Sequence, residues 1–249
     1  MKKILKIIII VLLTLLGIFL LGMIPALSVK TFNMKAYQSN GFTIYSETEN
    51  HADFDEITRL ITASRDEIAK ALGDADTGNI EIIIYPSNFT LHICRYGFFI
   101  GMFLPEWYIG DNTLNYVLIT SPSNPGGKHD RSSILKASVH EYVHVLTDRI
   151  NNNTDKWIKE GLATYLAGQG VRGGINKGIM FEDFDSGDPL RFSDVSGYAL
   201  SHILISYIKE NYGWDNVILL IQKGNTYENT LGKSKKDFFI EWKKYLQTL

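Results

Sequence analysis

The chain has 249 residues, of which 45% are hydrophobic, and this content is ample for a folded core. Its single cysteine, Cys94, excludes an intramolecular disulfide, and neither an internal repeat nor a low-complexity tract is visible. When the three lysines at the N-terminus are set aside, 22 basic and 27 acidic side chains remain. This excess of about five negative charges means that nucleic acid is not an expected partner.

The first element is an almost uninterrupted apolar run from Ile4 to Leu27, preceded by two lysines. Its 21 residues from Ile7 to Leu27 can span a bilayer, and they exceed the apolar region of about 7 to 15 residues in a secretory signal peptide. We therefore predict a membrane anchor over residues 1–28, with its positive end in the cytoplasm and the rest of the chain outside. The alternative is cleavage after Ser28, which would make the protein secreted.

The segments that follow the anchor have the periodicity of regular structure. After a linker over residues 29–40, the patterns predict a strand, a helix and two more strands, at Gly41–Ser46, Ala52–Leu72, Asn79–Tyr85 and Asn115–Thr120. If Tyr116 to Ser121 forms the edge of a sheet, an extended peptide substrate can pair along it. The alternative is an ordinary strand within the sheet.

A segment rich in aromatic residues, Phe98 to Ile109, lies between the last two of these strands. Aromatic clusters are most often part of a core, and this is the interpretation that we favour. The alternatives are a loop that contacts substrate and a loop that faces the membrane.

The strongest chemical signal is the sequence His140-Glu-Tyr-Val-His144, an HExxH motif inside a helical pattern. A chain of this composition contains such a motif by chance roughly 0.007 times. Because His140 and His144 are four residues apart on a helix, both imidazoles project from one face and can reach a single metal ion. Zinc is the natural occupant, with Glu141 beside it as general base for a zinc-bound water.

Glu160 is the candidate for a third ligand. It follows His144 by sixteen positions and lies in Trp157–Tyr165, which reads as a second helix after the polar loop Asn151–Asp155. A connection this short makes the two helices roughly antiparallel neighbours, so Glu160 can face the two histidines.

The sequences HEYVH and WIKEGLATY together resemble the gluzincin branch of the zinc metallopeptidases, specifically the peptidase MA-like domain with its HExxH and WxxEGxAxY patterns. The resemblance covers about Ser132 to Gly168. It implies one zinc ion per chain, with Glu141 as the catalytic base and with three ligands, His140, His144 and Glu160. It also implies an α+β, zincin-like fold over residues 41–249, in which a small mixed β-sheet forms an upper lobe over the HExxH helix and helices form the lower lobe.

The resemblance also concerns the helices that follow, which the pattern predicts at Ser196–Tyr212, Trp214–Lys223 and Lys233–Leu249. Related gluzincins supply a hydrogen-bond donor for the oxyanion from a helix downstream of the glutamate ligand. Tyr198 is the candidate for this role, and His202 is the alternative. Thr164 stands where thermolysin-like enzymes carry an aspartate that orients a zinc histidine, so the identity of the orienting group stays open.

The predicted function is that of a membrane-anchored, extracytoplasmic zinc metallopeptidase. It hydrolyses peptide bonds of a peptide or protein substrate through a zinc-activated water, with Glu141 as general base and Tyr198 as oxyanion donor. The chain lacks the GxMEN segment with which aminopeptidases of this branch bind the substrate's amino terminus, so aminopeptidase activity is not favoured. The alternative function is that of a catalytically inactive, peptidase-like module that binds or senses a ligand at the membrane.

Overall fold

The computed structural model describes residues 2–127, 129–171, 174–222 and 227–249. Over these residues the fold is α+β, with a five-stranded mixed sheet and twelve α-helices. The chain divides into two compact units. The N-terminal unit comprises Met1–Thr58, Glu81–Asp111 and Val117–Leu135, and the C-terminal unit comprises Arg59–Ile80, Asn112–Tyr116 and Lys136–Leu249.

The strands are β1 Lys35–Ser39, β2 Phe42–Ser46, β3 Glu81–Tyr85, β4 Gly110–Asn112 and β5 Tyr116–Thr120. The helices of the first half are α1 Lys2–Met23, α2 His51–Ala71, α3 Asn88–Tyr96 and α4 Phe98–Gly101, and a 3-10 turn at Ile24–Leu27 extends α1. The remaining helices are α5 Arg131–Asn151, α6 Lys156–Leu166, α7 Phe181–Asp185, α8 Pro189–Asp194, α9 Gly197–Tyr212, α10 Trp214–Gln222, α11 Tyr227–Leu231 and α12 Lys235–Thr248. Met1 of the predicted anchor and Lys223 of the predicted helix lie outside the described residues.

The sheet has the strand order β1-β2-β3-β5-β4. Strands β1 and β2 are antiparallel, and β2 and β3 are parallel with Ile44 opposite Ile82. Strand β1 lies within residues 29–40, so this range is not only a linker. Its hairpin turns at Asn40 and Gly41, both at positive φ, which is the Asn-Gly combination that favours a two-residue turn. This turn signal outweighs the weak alternation of β1 itself.

Strand β5 lies between β3 and β4, so it is an ordinary strand of the sheet and the edge interpretation is wrong. The short strand β4 covers the side on which a peptide would have paired. The Thr120 amide donates to the Ile109 carbonyl (3.0 Å), and the Thr113 amide donates to the Tyr116 carbonyl (3.0 Å). The backbone groups at both ends of β5 are therefore used within the protein.

Helix α1 and the turn after it form one apolar element, Lys3–Leu27, of 25 residues. This element is long and apolar enough to cross a membrane, and its length and composition equally fit a signal sequence. None of the side chains in its most apolar stretch is buried within the protein.

The aromatic segment that includes α4 is not a core element. Four of its apolar side chains are exposed, namely Phe98, Ile100, Met102 and Phe103. The core interpretation is wrong for these four residues. A different part of the segment is integrated into the N-terminal unit, because the Tyr108 hydroxyl donates to Asp111 (2.5 Å) and pairs with the Tyr96 hydroxyl (2.8 Å).

In the C-terminal unit, α6 packs closely against α9. Gly161 of α6 makes this possible, because a Cβ atom there would overlap the Ser201 carbonyl and lie 2.6 Å from Ile205 Cγ1. Helix α9 ends at Gly213, where a positive φ of 87° stops the helix. The close contact fixes the distance of α6, and hence of its side chains, from α9.

Candidate metal centre

The two histidines of the HExxH motif lie on α5, a helix that is apolar on nearly all sides. Neighbouring Tyr142 and Val143 are fully buried, so α5 is a core helix. His140 and His144 are themselves buried, at 7% and 6% exposure. A polar group at such depth needs a partner, because its water has been removed.

Glu160 meets both histidines from α6. The α6 helix begins after Asp155, whose carboxylate accepts a hydrogen bond from the Trp157 amide (2.9 Å) and caps the helix. Glu160 Oε2 lies 3.4 Å from His140 Nε2 and 3.4 Å from His144 Nε2. The possible ligand atoms of the three residues all lie within 4.8 Å of one another.

The spacing of these atoms fits a metal ion. Two ligands at about 2.0–2.1 Å from a tetrahedral ion are roughly 3.3–3.4 Å apart, which is the separation seen between Glu160 Oε2 and each imidazole. Glu160 Oε2 is buried and accepts no hydrogen bond from the described residues. A cation between the three atoms would satisfy it, and His140, His144 and Glu160 can therefore hold a metal ion.

Gln169 orients His140. His140 Nδ1 lies 3.1 Å from Gln169 Oε1, and because an amide oxygen only accepts, Nδ1 carries the proton. The lone pair is then on Nε2, the atom that faces Glu160. The Gln169 backbone amide in turn donates to the Thr164 carbonyl (3.1 Å), which fixes Gln169 at the end of α6. Gln169 belongs to neither motif, so no local pattern in the sequence points to it.

The described hydrogen bonds of the Thr164 hydroxyl do not involve His140 or His144. Its hydroxyl lies 2.8 Å from the Glu160 carbonyl and 3.0 Å from the Gly161 carbonyl, so it donates within its own helix. His144 Nδ1 is buried with no hydrogen-bond partner among the described residues.

The electrostatics favour the forms that bind metal. Burial lowers the pKa of His140, against the opposing effect of the nearby Glu160 carboxylate, and keeps the imidazole neutral. Burial alone would raise the pKa of Glu160, but the adjacent His144 and His140 outweigh burial and hold it well below its usual range. A neutral imidazole and an ionised carboxylate are the protonation states that metal ligands need.

The two residues predicted to act on substrate lie near this group. Glu141 follows His140 on α5 and is buried, at 8% exposure. Tyr198 lies in the first turn of α9, with its ring centroid 6.5 Å from that of His140, and is 37% exposed. The Phe192 ring packs edge-on against Tyr198 at 5.1 Å and supports it.

For His202, the alternative oxyanion donor, the described ring contact is with Tyr165. Its ring lies 5.4 Å from that of Tyr165, and burial lowers its pKa. The described ring contacts thus place Tyr198 beside His140, and His202 beside Tyr165.

Lys159 and Asp148 form an ion pair that sequence reasoning did not anticipate. Lys159 precedes Glu160 on α6, and Asp148 follows His144 by one turn on α5. The Asn112 amide also donates to Asp148 (2.7 Å). The pair connects α6 to α5.

Comparison of the chain with protein-family models, with curated proteins and with solved structures gave no match. The described residues thus form an α+β protein in which His140, His144 and Glu160 can hold a metal ion.

Proposed function

We propose that the chain is a zinc metallopeptidase of the gluzincin type, with a zincin-like fold. The observation that carries this proposal is that three buried donor atoms from two helices come together. The helix with HExxH provides the two imidazole nitrogens, and the helix with WxxEGxAxY provides the carboxylate oxygen, 3.4 Å from each of them. Either motif alone would be weaker support, because the geometry requires both helices.

Zinc is the metal that this donor set favours. Two imidazole nitrogens and one carboxylate oxygen suit zinc, whereas magnesium and calcium prefer oxygen ligands throughout. The expected content is one zinc ion per chain, held by His140, His144 and Glu160. When bound there, zinc supplies a Lewis acid that polarises the scissile carbonyl and lowers the pKa of water.

The side chains around the metal group then have separate tasks. Glu141 accepts a proton from the water that adds to the carbonyl carbon, and it delivers that proton to the amine nitrogen as the C–N bond breaks. The Tyr198 hydroxyl donates a hydrogen bond to the carbonyl oxygen as this oxygen gains negative charge. Tyr198 is partly exposed, at 37%, and this supports a role for it in contact with a peptide or protein substrate.

We infer that the N-terminal element anchors this activity at a membrane. With α1 as an anchor and its lysines on the cytoplasmic side, the catalytic residues are outside the cytoplasm. Cleavage of α1 would give a secreted enzyme with the same centre.

The test of the proposal is Glu141→Gln, with Glu210→Gln, an exposed position on α9, as matched control. The variant should bind zinc as the parent does and lose turnover of quenched fluorescent peptides by about 10²- to 10⁴-fold, because general-base catalysis is removed. The control should retain full activity. A fully active Glu141→Gln protein would contradict the role of Glu141, and a parent that binds zinc without turnover would favour the inactive binding module.

A further inference from the structure

The exposed side chains around α4 form a compact apolar surface. This surface, which we name the α4 patch, consists of Phe98, Ile100, Met102 and Phe103. Phe103 is 81% exposed, and the sequence from Gly97 to Pro105 contains no charged residue. A water-facing loop would not be expected to concentrate four large apolar side chains in six residues.

The α4 patch is continuous with the apolar helix α1. The Phe99 ring stacks on Phe19 at 5.9 Å, with the ring planes 16° apart. A Cβ atom on Gly22 would overlap the Phe99 ring, and a Cβ atom on Gly97 would lie 2.6 Å from Met23 Sδ. Helix α4 is thus packed closely against the last turns of α1.

The chain after α1 is also attached to the N-terminal unit. The Tyr85 hydroxyl donates to the Val29 carbonyl, and Lys30 forms an ion pair with Glu81 (3.6 Å). The connection between α1 and the sheet is therefore held at two successive residues. The position of α1 in a bilayer then fixes the position of α4.

The contact with α1 sets the depth of the α4 patch. A hydrocarbon core of about 30 Å needs about 20 helical residues, which from Ile7 onward end near Ala26. At the helical rise of about 1.5 Å per residue, Phe19 and Gly22 lie roughly 10 Å and 6 Å from Ala26, towards the bilayer centre. Their neighbour α4 would therefore lie at the boundary between headgroups and acyl chains, where apolar side chains of interfacial helices insert about 5–10 Å.

We propose that the α4 patch is a second membrane contact. It inserts into the leaflet that contains the C-terminal end of α1. The occupant of the patch is lipid, because α4 is packed against a helix that is long and apolar enough to cross a membrane and whose apolar side chains are exposed. This inference rests on retention of α1 and is independent of the proposed peptidase activity. It gives the N-terminal unit a fixed orientation to the bilayer.

The experiment uses the full chain in phosphatidylcholine vesicles, with an intact mass that verifies retention of α1. In a Cys94→Ala background, Phe98→Cys and Phe103→Cys each carry an environment-sensitive fluorophore, and Ile240→Cys, exposed on α12, is the matched control. Spin-labelled lipid should quench positions 98 and 103 several-fold more than position 240. Iodide, which stays in the water, should quench position 240 more than positions 98 and 103.

Two results would overturn the proposal. Iodide quenching at positions 98 and 103 as strong as at position 240 would show that the patch faces water. Protection from both quenchers would show that protein, such as a second copy of the chain, covers it.

A second measurement avoids substitutions altogether. In the unmodified chain, a photoactivatable phosphatidylcholine should label the peptide that contains residues 97–105 as well as α1. Labelling confined to α1 would contradict the proposal.

Discussion

At the residue scale, each ring nitrogen of His140 has a polar neighbour. Its Nδ1 donates to Gln169, and its Nε2 faces the Glu160 carboxylate at 3.4 Å. Burial keeps the ring neutral, so the lone pair on Nε2 is available to a metal. Gln169 thus acts through His140 and is a positioning residue.

The first prediction concerns Gln169→Ala. The variant loses the acceptor that fixes the His140 tautomer, and zinc affinity should fall by about 10- to 100-fold. Competition with a chromophoric zinc chelator measures this change. Gln169→Glu restores an acceptor and should recover most of the affinity.

The control for this prediction is Gln38→Ala. Gln38 donates to Thr43 (3.1 Å) at the exposed end of the β1–β2 hairpin, so its loss should leave zinc affinity unchanged. Equal affinity of Gln169→Ala and the parent would mean that the hydrogen bond does not orient the ligand.

At the element scale, the separation of α6 from α9 depends on Gly161, the residue after the potential ligand Glu160. A methyl group at this position would meet the backbone carbonyl of Ser201, which cannot move without the whole of α9. The glycine of the WxxEGxAxY pattern is therefore needed for packing, and not for a special φ angle.

The second prediction is that Gly161→Ala destabilises the protein. The alanine methyl group overpacks the helix contact, which costs about 1–3 kcal/mol of stability, more than the gain of about 1 kcal/mol from higher helix propensity. Overpacking also displaces Glu160. Thermal unfolding should shift downward by several degrees, and zinc affinity should weaken. Gly187→Ala, where a Cβ atom meets nothing within 4 Å, is the matched control. If Gly161→Ala is as stable as the parent, the prediction is wrong, and α9 moves away from α6 at no cost in stability.

A second inter-helix connection joins α9 to α12 through Glu241. The Tyr207 and Tyr212 hydroxyls each donate to Glu241 Oε1 (2.6 Å), and Lys233 donates to Oε2. The hydrogen bond from Lys233, followed by those from the two tyrosines, lowers the pKa of Glu241 from 4.5 to about 2. The ionised form is therefore stabilised by folding, and this stabilisation is lost as the pH falls from 4.5 towards 2.

The third prediction follows from the lowered pKa of Glu241. Glu241→Gln should reduce the free energy of unfolding at pH 7 by about 1–2 kcal/mol, a modest value because the carboxylate is partly exposed. The difference from the parent should shrink below pH 4.5 in urea denaturation. Glu67→Gln, at an exposed site on α2, should show neither effect. A difference that persists unchanged at pH 3 would contradict the account.

At the scale of the whole molecule, patterns with a strong local cause were predictable. The apolar run predicted α1, and the closely spaced motifs predicted α5 and α6 with the potential ligands on both helices. These features follow from periodicity and short connections, which are local properties of the sequence. The α+β class was expected from the resemblance to the gluzincins, and the described residues have this class.

Features that depend on distant neighbours were not predictable. Strand β1 exists because it pairs with β2 across the Asn40-Gly41 turn, although its own pattern is weak. The neighbours of β5 are set by the topology of the sheet, so its position was left open. Gln169 meets His140 across 29 positions of sequence, and Phe98 to Phe103 are exposed because α4 packs on α1 instead of a core.

The central claim is that His140, His144 and Glu160 together hold zinc, and zinc content per chain tests it most directly. The full chain, purified in detergent and loaded with zinc, should contain close to one ion by elemental analysis. His144→Ala and Glu160→Ala should each lose most of it, while His51→Ala, at an exposed histidine, should retain it. A parent chain that stays free of metal after loading, or either ligand variant with a full complement of zinc, would contradict the claim.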